Sequence, residues 1–204
     1  MGLYCRHVLP WLTDLTMRSP EAKRYRQRLV PEAEGRVLEI GIGSGLNLPF
    51  YGPRIEHLYG LDPSPQLLRM AGRRAQLEGR DVELLPCSAE QIPLPDRCLD
   101  TVISTWTLCS IPDADRALHE ARRVLQPGGQ LLFVEHGLAP DAGVRAWQHR
   151  LTPMWARIAG GCHLDRKIDA LITAAGFRLE ELGTEYAKGP RVMTYMYFGR
   201  ARPA

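Results

Sequence analysis

At 204 residues, with 45% apolar and 24% charged side chains, the chain is long enough for one domain with a sizeable core and has the composition of a folded rather than a disordered protein. A formal charge of +3 is mild and 23 of the 26 basic residues are arginine, so no nucleic-acid partner is expected; the densest basic stretch, Arg18 to Arg28, is diluted by Glu21 and nearby Glu32 and reads as a solvated helix face. Cys5, Cys87, Cys98, Cys109 and Cys162 form no C-x-x-C pair, and no apolar run approaches the roughly 20 residues of a spanning helix, which argues against a disulfide framework, a metal site and an integral membrane segment and points to the cytoplasm.

From residue 3 to Val30 the chain reads as helical pieces broken at Pro10 and Pro20 and ended at Pro31, because proline lacks a backbone donor and fixes φ. Charged and proline residues interrupt its first twenty positions, so neither a signal peptide nor an anchor is expected there. Beyond it, short apolar runs alternate with longer helical periods. Strands are expected at 36–41, 57–62, 82–87, 101–105 and 130–135, with helices near 65–78 and 113–125 between them. That alternation predicts an α/β fold with a mostly parallel sheet covered on both faces.

The rhythm then changes. Residues 144–158 read as an aromatic-bearing helix interrupted by Pro153 and ended by Gly160 and Gly161; a further helix at 165–175 stops at Gly176. Strands at 177–186 and 192–200 close the chain. The Gly189-Pro190 connection between them is too short for a helical crossover, so the last strand should run antiparallel to its partner. With no repeat and no linker, 1–204 reads as one domain, in which 1–34 form an N-terminal helical cap and 144–176 a helical insertion on the substrate side.

The most informative stretch is Val37-Leu38-Glu39-Ile40-Gly41-Ile42-Gly43-Ser44-Gly45, a buried strand running into a turn with glycine at alternate positions. Glycines permit positive φ and let a ligand rest against main-chain N–H groups, and in a parallel sheet this first loop opens onto the ligand crevice. Asp62 ends the second strand 21 residues after Gly41, where a carboxylate can accept both ribose hydroxyls of an adenosine; taken alone it could equally cap the helix near Pro65. The spacing is G-x-G-x-G, and Leu46 occupies the position of the third glycine of the dinucleotide fingerprint, which weighs against NAD. Glu39, two residues before the first glycine, suits a ligand carrying an ammonium group better than a pyrophosphate. The polar segment from Ser88 to Pro95 is suited to an adenine edge.

Val37 to Gly45, Gly60 to Ser64, Ser88 to Pro95, Asp100 to Leu108 and Val124 to Gly129 together resemble, in order and register, the successive motifs of class I S-adenosylmethionine-dependent methyltransferases. The resemblance implies a Rossmann-like α/β fold with a mostly parallel seven-stranded sheet and an antiparallel last strand. It implies S-adenosyl-L-methionine as cofactor, with S-adenosyl-L-homocysteine as product. Gly41, Gly43 and Gly45 would flank the methionine moiety, with Glu39 behind the loop and Asn47 following it. Asp62 and Pro63 would hold the ribose, Ser88, Ala89 and Glu90 would surround the adenine, and Thr105 would meet the amino-acid portion. Ser88 stands where many relatives carry Asp or Asn.

A narrower resemblance follows. Thr107 to Ile111, Val134-Glu135-His136, Trp147-Gln148, Pro153-Met154-Trp155 and Gly160-Gly161-Cys162 are similar to segments of the methyltransferase-like small-thiol S-methyltransferases, long grouped with phospholipid and quinone methyltransferases. It implies a small, fairly apolar acceptor, most simply a thiol, with an amine or phospholipid headgroup as the alternative; a protein that binds the cofactor without turnover is the third reading. The eukaryotic members carry a hydrophobic N-terminal anchor that has no counterpart here, and peripheral membrane contact stays open. A thiol of pKa about 8.5 is little ionised at neutral pH, so a base helps. His136, past the fifth strand, is the catalytic candidate. Trp106, Trp147 and Trp155 are candidates to wall the acceptor pocket, and Arg166 or Arg191 to attract an acidic group. Glu135 should face away from His136 by strand alternation. Cys87 and Cys109 read as buried filler, and Cys162-His163, with no second pair of ligands near in sequence, as a packed thiol and a surface imidazole.

Overall fold

The structure is a computed structural model that describes Tyr4 and residues 8–204; the start of the first predicted helical piece and Cys5 lie outside the described residues. Its centre is a seven-stranded sheet in the order β3-β2-β1-β4-β5-β7-β6. The strands are β1 (Gly35–Ile40), β2 (Ile55–Leu61), β3 (Glu83–Leu85), β4 (Leu99–Thr105), β5 (Leu125–His136), β6 (Phe177–Tyr186) and β7 (Tyr195–Pro203). The first five pair in parallel, and β7 pairs antiparallel with both β5 and β6, as the short Gly189-Pro190 connection requires. This is the Rossmann-like sheet the motifs predict.

Alternation along the strands feeds two apolar layers. Val37, Leu58, Ile103 and Leu132 pack on one face with Tyr25, Leu68 and Ala71 from helices α2 (Pro20–Leu29) and α3 (Pro65–Leu77). Leu38, Ile40, Val102 and Phe133 face the other way, onto Leu118 and Ala121 of α4 (Ala114–Val124) and Ile172 of α6 (Ile168–Ala174). By that alternation Glu39 falls on the α2 side of β1, and it is 1% exposed.

The break expected at Pro20 is found, α1 (Leu9–Met17) giving way to α2 behind the N-cap Ser19; Pro10 and Pro20 both stand in the first turn of a helix, where the missing N–H costs nothing. Two local expectations are corrected. The helix α5 (Ala142–Ile158) runs through Pro153. Proline inside a helix costs ~3 kcal/mol, but the Gln148 side chain anchors the helix by accepting from Ala139 N–H and donating to the Gly137 and Val192 carbonyls. The sixth helix starts at Ile168 rather than 165, because the Arg166 carbonyl accepts from Leu138 N–H at 2.8 Å and is not free for a helical bond.

Candidate active site

The carboxyl ends of β1, β2, β4 and β5 share one edge of the sheet, and the loops leaving them make the site. After β1 the chain turns through Gly41 and Gly43 at φ +68° and +54°. A Cβ on Gly41 would collide with the Thr107 side chain, so the loop after β4 closes directly on the glycine turn. A Cβ on Gly43 would meet nothing nearer than the Gly41 carbonyl at 3.9 Å, so the turn is open on the side where a side chain would stand.

Two buried carboxylates flank this turn. Glu39 accepts from Asn47 Nδ2 at 2.8 Å and from the Tyr51 hydroxyl at 2.7 Å. Burial pushes its pKa up to about 8, against the pull of Tyr51, Arg26 and Asn47. Asn47 also donates to Thr105 Oγ1 at 3.1 Å and accepts from Arg26 Nε at 2.9 Å, so its amide is committed to joining β1, β4 and α2. Asp62 accepts from the backbone N–H of Gly43 at 3.1 Å and of Ser64 at 2.8 Å, and burial raises its pKa to about 6. The N-cap of α3 is Ser64, not Asp62, which removes the capping alternative. Two further lone pairs of the Asp62 carboxylate are left for hydroxyl donors.

Ser88 and Glu90 form a compact turn around buried Ala89: the Ser88 hydroxyl donates to Glu90 Oε2 at 2.9 Å, and Glu90 Oε1 accepts from Asp113 N–H at 2.8 Å. Pro63 is exposed beside Asp62. Sequence reasoning missed two supports of the loop. Arg26, placed on a solvated face, is instead buried; burial lowers its pKa to about 10, and its guanidinium lies 5.0 Å over the Trp106 ring. Asp14 of α1 accepts from the Ser44 hydroxyl at 2.6 Å and pairs with Arg74 at 3.3 Å, tying the first helix to the glycine turn. Their spacing in sequence carries no signal for either contact.

The second half of the site lies beyond β4 and β5. Glu135, wholly buried, gathers the loop after β4: Oε1 accepts from the Ser104 hydroxyl and the N–H groups of Thr107 and Leu108 at 2.7–3.1 Å, and Oε2 from Cys109 N–H at 3.4 Å. Burial raises its pKa, partly offset by these donors. The turn holds Trp106 at φ 53°, an uncommon conformation for a residue other than glycine. Its ring meets Tyr25 edge-on at 6.1 Å.

His136 Nε2 shares a 3.0 Å hydrogen bond with Cys162 Sγ, which also receives the Trp155 indole N–H at 3.2 Å. Burial works to lower the His136 pKa, but Cys162 and Glu135 outweigh it and leave it raised. The hydrogen bond with Cys109, then burial, raises the Cys162 thiol. The Cys109 and Cys162 sulfurs and a His136 ring nitrogen all lie within 4.8 Å of one another. Cys109 is buried, Cys162 packed and the His163 imidazole at the surface, as expected, but the cysteines are not isolated: residues 53 positions apart in sequence meet in space, which linear spacing cannot show. Of the three tryptophans, Trp106 and Trp155 border the site, while Trp147 is 56% exposed beside Arg150. Arg166 is spent on the Leu108, Ile111 and Pro112 carbonyls, and Arg191 pairs with Asp141 at 3.1 Å on the surface.

Residues 38–133 match the methyltransferase domain family. The chain is 31% identical over 178 residues to a thiol S-methyltransferase of Rattus norvegicus, covering 80% of this chain and 72% of that one. It is 35% identical over 111 residues to a phosphatidylethanolamine N-methyltransferase of Cereibacter sphaeroides, about half of each chain. Among solved structures, a methyltransferase of Thermotoga maritima described as a possible histamine N-methyltransferase superposes with a TM-score of 0.69 at 22% identity, covering 98% of this chain and 99% of that one. No helix among the described residues is long and apolar enough to cross a membrane. A glycine turn flanked by buried acids, on this sheet and with these relatives, marks the chain as a member of the class I S-adenosylmethionine-dependent methyltransferases.

Proposed function

We propose that the protein transfers the methyl group of S-adenosylmethionine to the sulfur of a small, fairly apolar thiol. The cofactor supplies an electrophilic methyl on a sulfonium, already a good leaving group. What the protein must add is alignment, exclusion of water and a way to ionise the acceptor.

The residues of the glycine turn fit that cofactor. The open space above Gly43 admits the methionine portion, and Asp62, with two backbone donors and free lone pairs, suits the paired hydroxyls of a ribose. Glu39 acts from behind the turn, holding Asn47 and, through it, Thr105 in place beside the methionine end of the cofactor. The Ser88–Glu90 turn borders the adenine through its backbone, since both side chains are engaged already. The segment 1–34 caps this half through Asp14 and Arg26, and 144–176 forms the acceptor side.

The observation that carries the thiol reading is the cluster of His136, Cys109, Cys162 and the Trp155 indole, reached through the same loop whose Thr107 touches Gly41. His136 is the catalytic residue we assign there: its imidazole assists ionisation of the acceptor thiol. The rat relative at 31% identity is a thiol S-methyltransferase, which supports the same acceptor. N-methylation of an amine or a phospholipid headgroup is the alternative, favoured by the shorter match to the phosphatidylethanolamine enzyme. Radiolabelled methyl transfer to matched aliphatic thiols, amines and phenols decides between them. Preferred labelling of the thiol supports the proposal; labelling of the amine alone refutes it.

A further inference from the structure

The three segments beginning at Thr107, Val134 and Gly160 stand apart in sequence and in function so far, yet they deliver two thiols and an imidazole to one point. All three potential ligand atoms lie within 4.8 Å of one another, and no carboxylate belongs to the group among the described residues. In a tetrahedral zinc site, bond lengths of about 2.3 Å to sulfur and 2.0–2.1 Å to nitrogen place two sulfurs about 3.8 Å apart, and sulfur and nitrogen about 3.6 Å apart. The 3.0 Å contact between His136 and Cys162 must open by about half an ångström, and no separation must close by more than about 1 Å. Side-chain rotation on two loop residues supplies changes of that size.

The surroundings hold the ligands in place; the Cys109 thiol meets the Trp106 carbonyl at 3.5 Å and the Ser110 hydroxyl at 3.4 Å, and on losing its proton it gives up the first contact and accepts from the second. The Cys109 backbone is fixed from both sides, its N–H by Glu135 and its carbonyl by His163 N–H at 2.8 Å. Arg166 clamps the same turn through the Leu108 and Ile111 carbonyls. The Trp155 indole N–H points at Cys162 Sγ, the kind of outer donor that stabilises a metal-bound thiolate. Two cysteines and one histidine make three protein ligands. A zinc site with three protein ligands and a vacant fourth position is of the reactive kind; structural sites are closed by four. Soft and borderline ligands of this type select zinc over magnesium or calcium.

We propose that Cys109, His136 and Cys162 bind a zinc ion whose fourth position takes the acceptor as a thiolate. The inference rests on the thiol reading above and specifies how His136 assists ionisation, as a metal ligand. On coordination the acceptor's S–H bond breaks, the proton passes to solvent and the electron pair stays on the metal-bound sulfur. The two protein cysteines lose their protons likewise when the metal enters. The site sits on the loop that touches the glycine turn, at the end of the crevice opposite Asp62 from the sequence of loops along the edge.

Cobalt(II) titration of the reduced, chelator-stripped protein tests this directly. Expected are one cobalt per chain, sulfur-to-metal charge-transfer bands, and displacement by zinc. Cys109→Ser and Cys162→Ser should each weaken binding by 10-fold or more, with circular dichroism confirming the fold. In the wild-type protein, zinc should shield both thiols from iodoacetamide in peptide mapping, a readout independent of any variant. Added ethanethiol should shift the cobalt spectrum by occupying the fourth position. Absence of charge-transfer bands, unchanged cobalt binding in Cys162→Ser, or no response to ethanethiol overturns the proposal. Full-rate thiol methylation by zinc-free protein also overturns it, while leaving the thiol reading intact.

Discussion

Around the glycine turn the polar groups are carboxylates and amides, each locked to backbone or to a neighbouring side chain: Glu39 to Asn47 and Tyr51, Asp62 to Gly43 and Ser64. Beyond β5 they are sulfur and imidazole, in contact with one another and with an indole. Under the proposed function, the first half would hold the cofactor in a single pose and the second would receive the sulfur of the acceptor. Glu135 lies between them, fixing the loop that touches both Gly41 and the sulfur cluster.

The comparison makes opposite demands on substitutions in the two halves. The largest effect is expected from His136→Ala, which should lower thiol methylation about 10²–10⁴-fold while leaving affinity for S-adenosylmethionine near its original value; stopped-assay rates with calorimetry on the same sample check both. An equal loss of affinity would merge the two halves. Next is Glu135→Ala. It leaves several buried N–H groups and the Ser104 hydroxyl without an acceptor, at ~1–3 kcal/mol each. Denaturant unfolding should show roughly 3 kcal/mol or more of lost stability, and retained stability would show the loop to be self-supporting.

Asp62→Ala should weaken S-adenosylmethionine by ~1–3 kcal/mol, the cost of leaving paired donors unmatched, and should scarcely touch cobalt binding. Calorimetry giving an unchanged affinity would remove its ribose role. Smaller again is a pH effect on the ligand-free protein. Burial raises the Glu39 pKa from 4.5 to about 8, so the folded state holds a proton that the unfolded state has released. Its stabilising contribution is complete below pH 4.5 and is lost as pH rises through about 8. Glu39→Gln should therefore flatten the fall in stability between pH 6 and 8 relative to the natural protein. Parallel slopes in thermal melts across that range would show Glu39 to be ionised throughout.

The two halves were unequally legible in the sequence. The glycine turn, Glu39 and Asp62 lie in one strand–turn–strand stretch, where local backbone requirements impose residue types at fixed offsets. Strand positions followed from periodicity, and the antiparallel last strand from the shortness of the Gly189-Pro190 connection. Tertiary contacts between distant segments left no such mark. Arg26 looked like one more exposed arginine on a basic helix and is buried against Asn47. Cys109 and Cys162 looked isolated because the loop after β4 and the Gly160-Gly161 turn meet only once the sheet is assembled. Pro153 looked like a break because the anchoring of Gln148 lies outside its own helix.

The acceptor is the central claim, and its product tests it most directly. The protein, S-adenosylmethionine and an equimolar mixture of a small apolar thiol and the amine of the same carbon skeleton should be incubated together and read by mass spectrometry. The account predicts a gain of one methyl on the thiol and none on the amine; methylation of the amine with the thiol unchanged would contradict it.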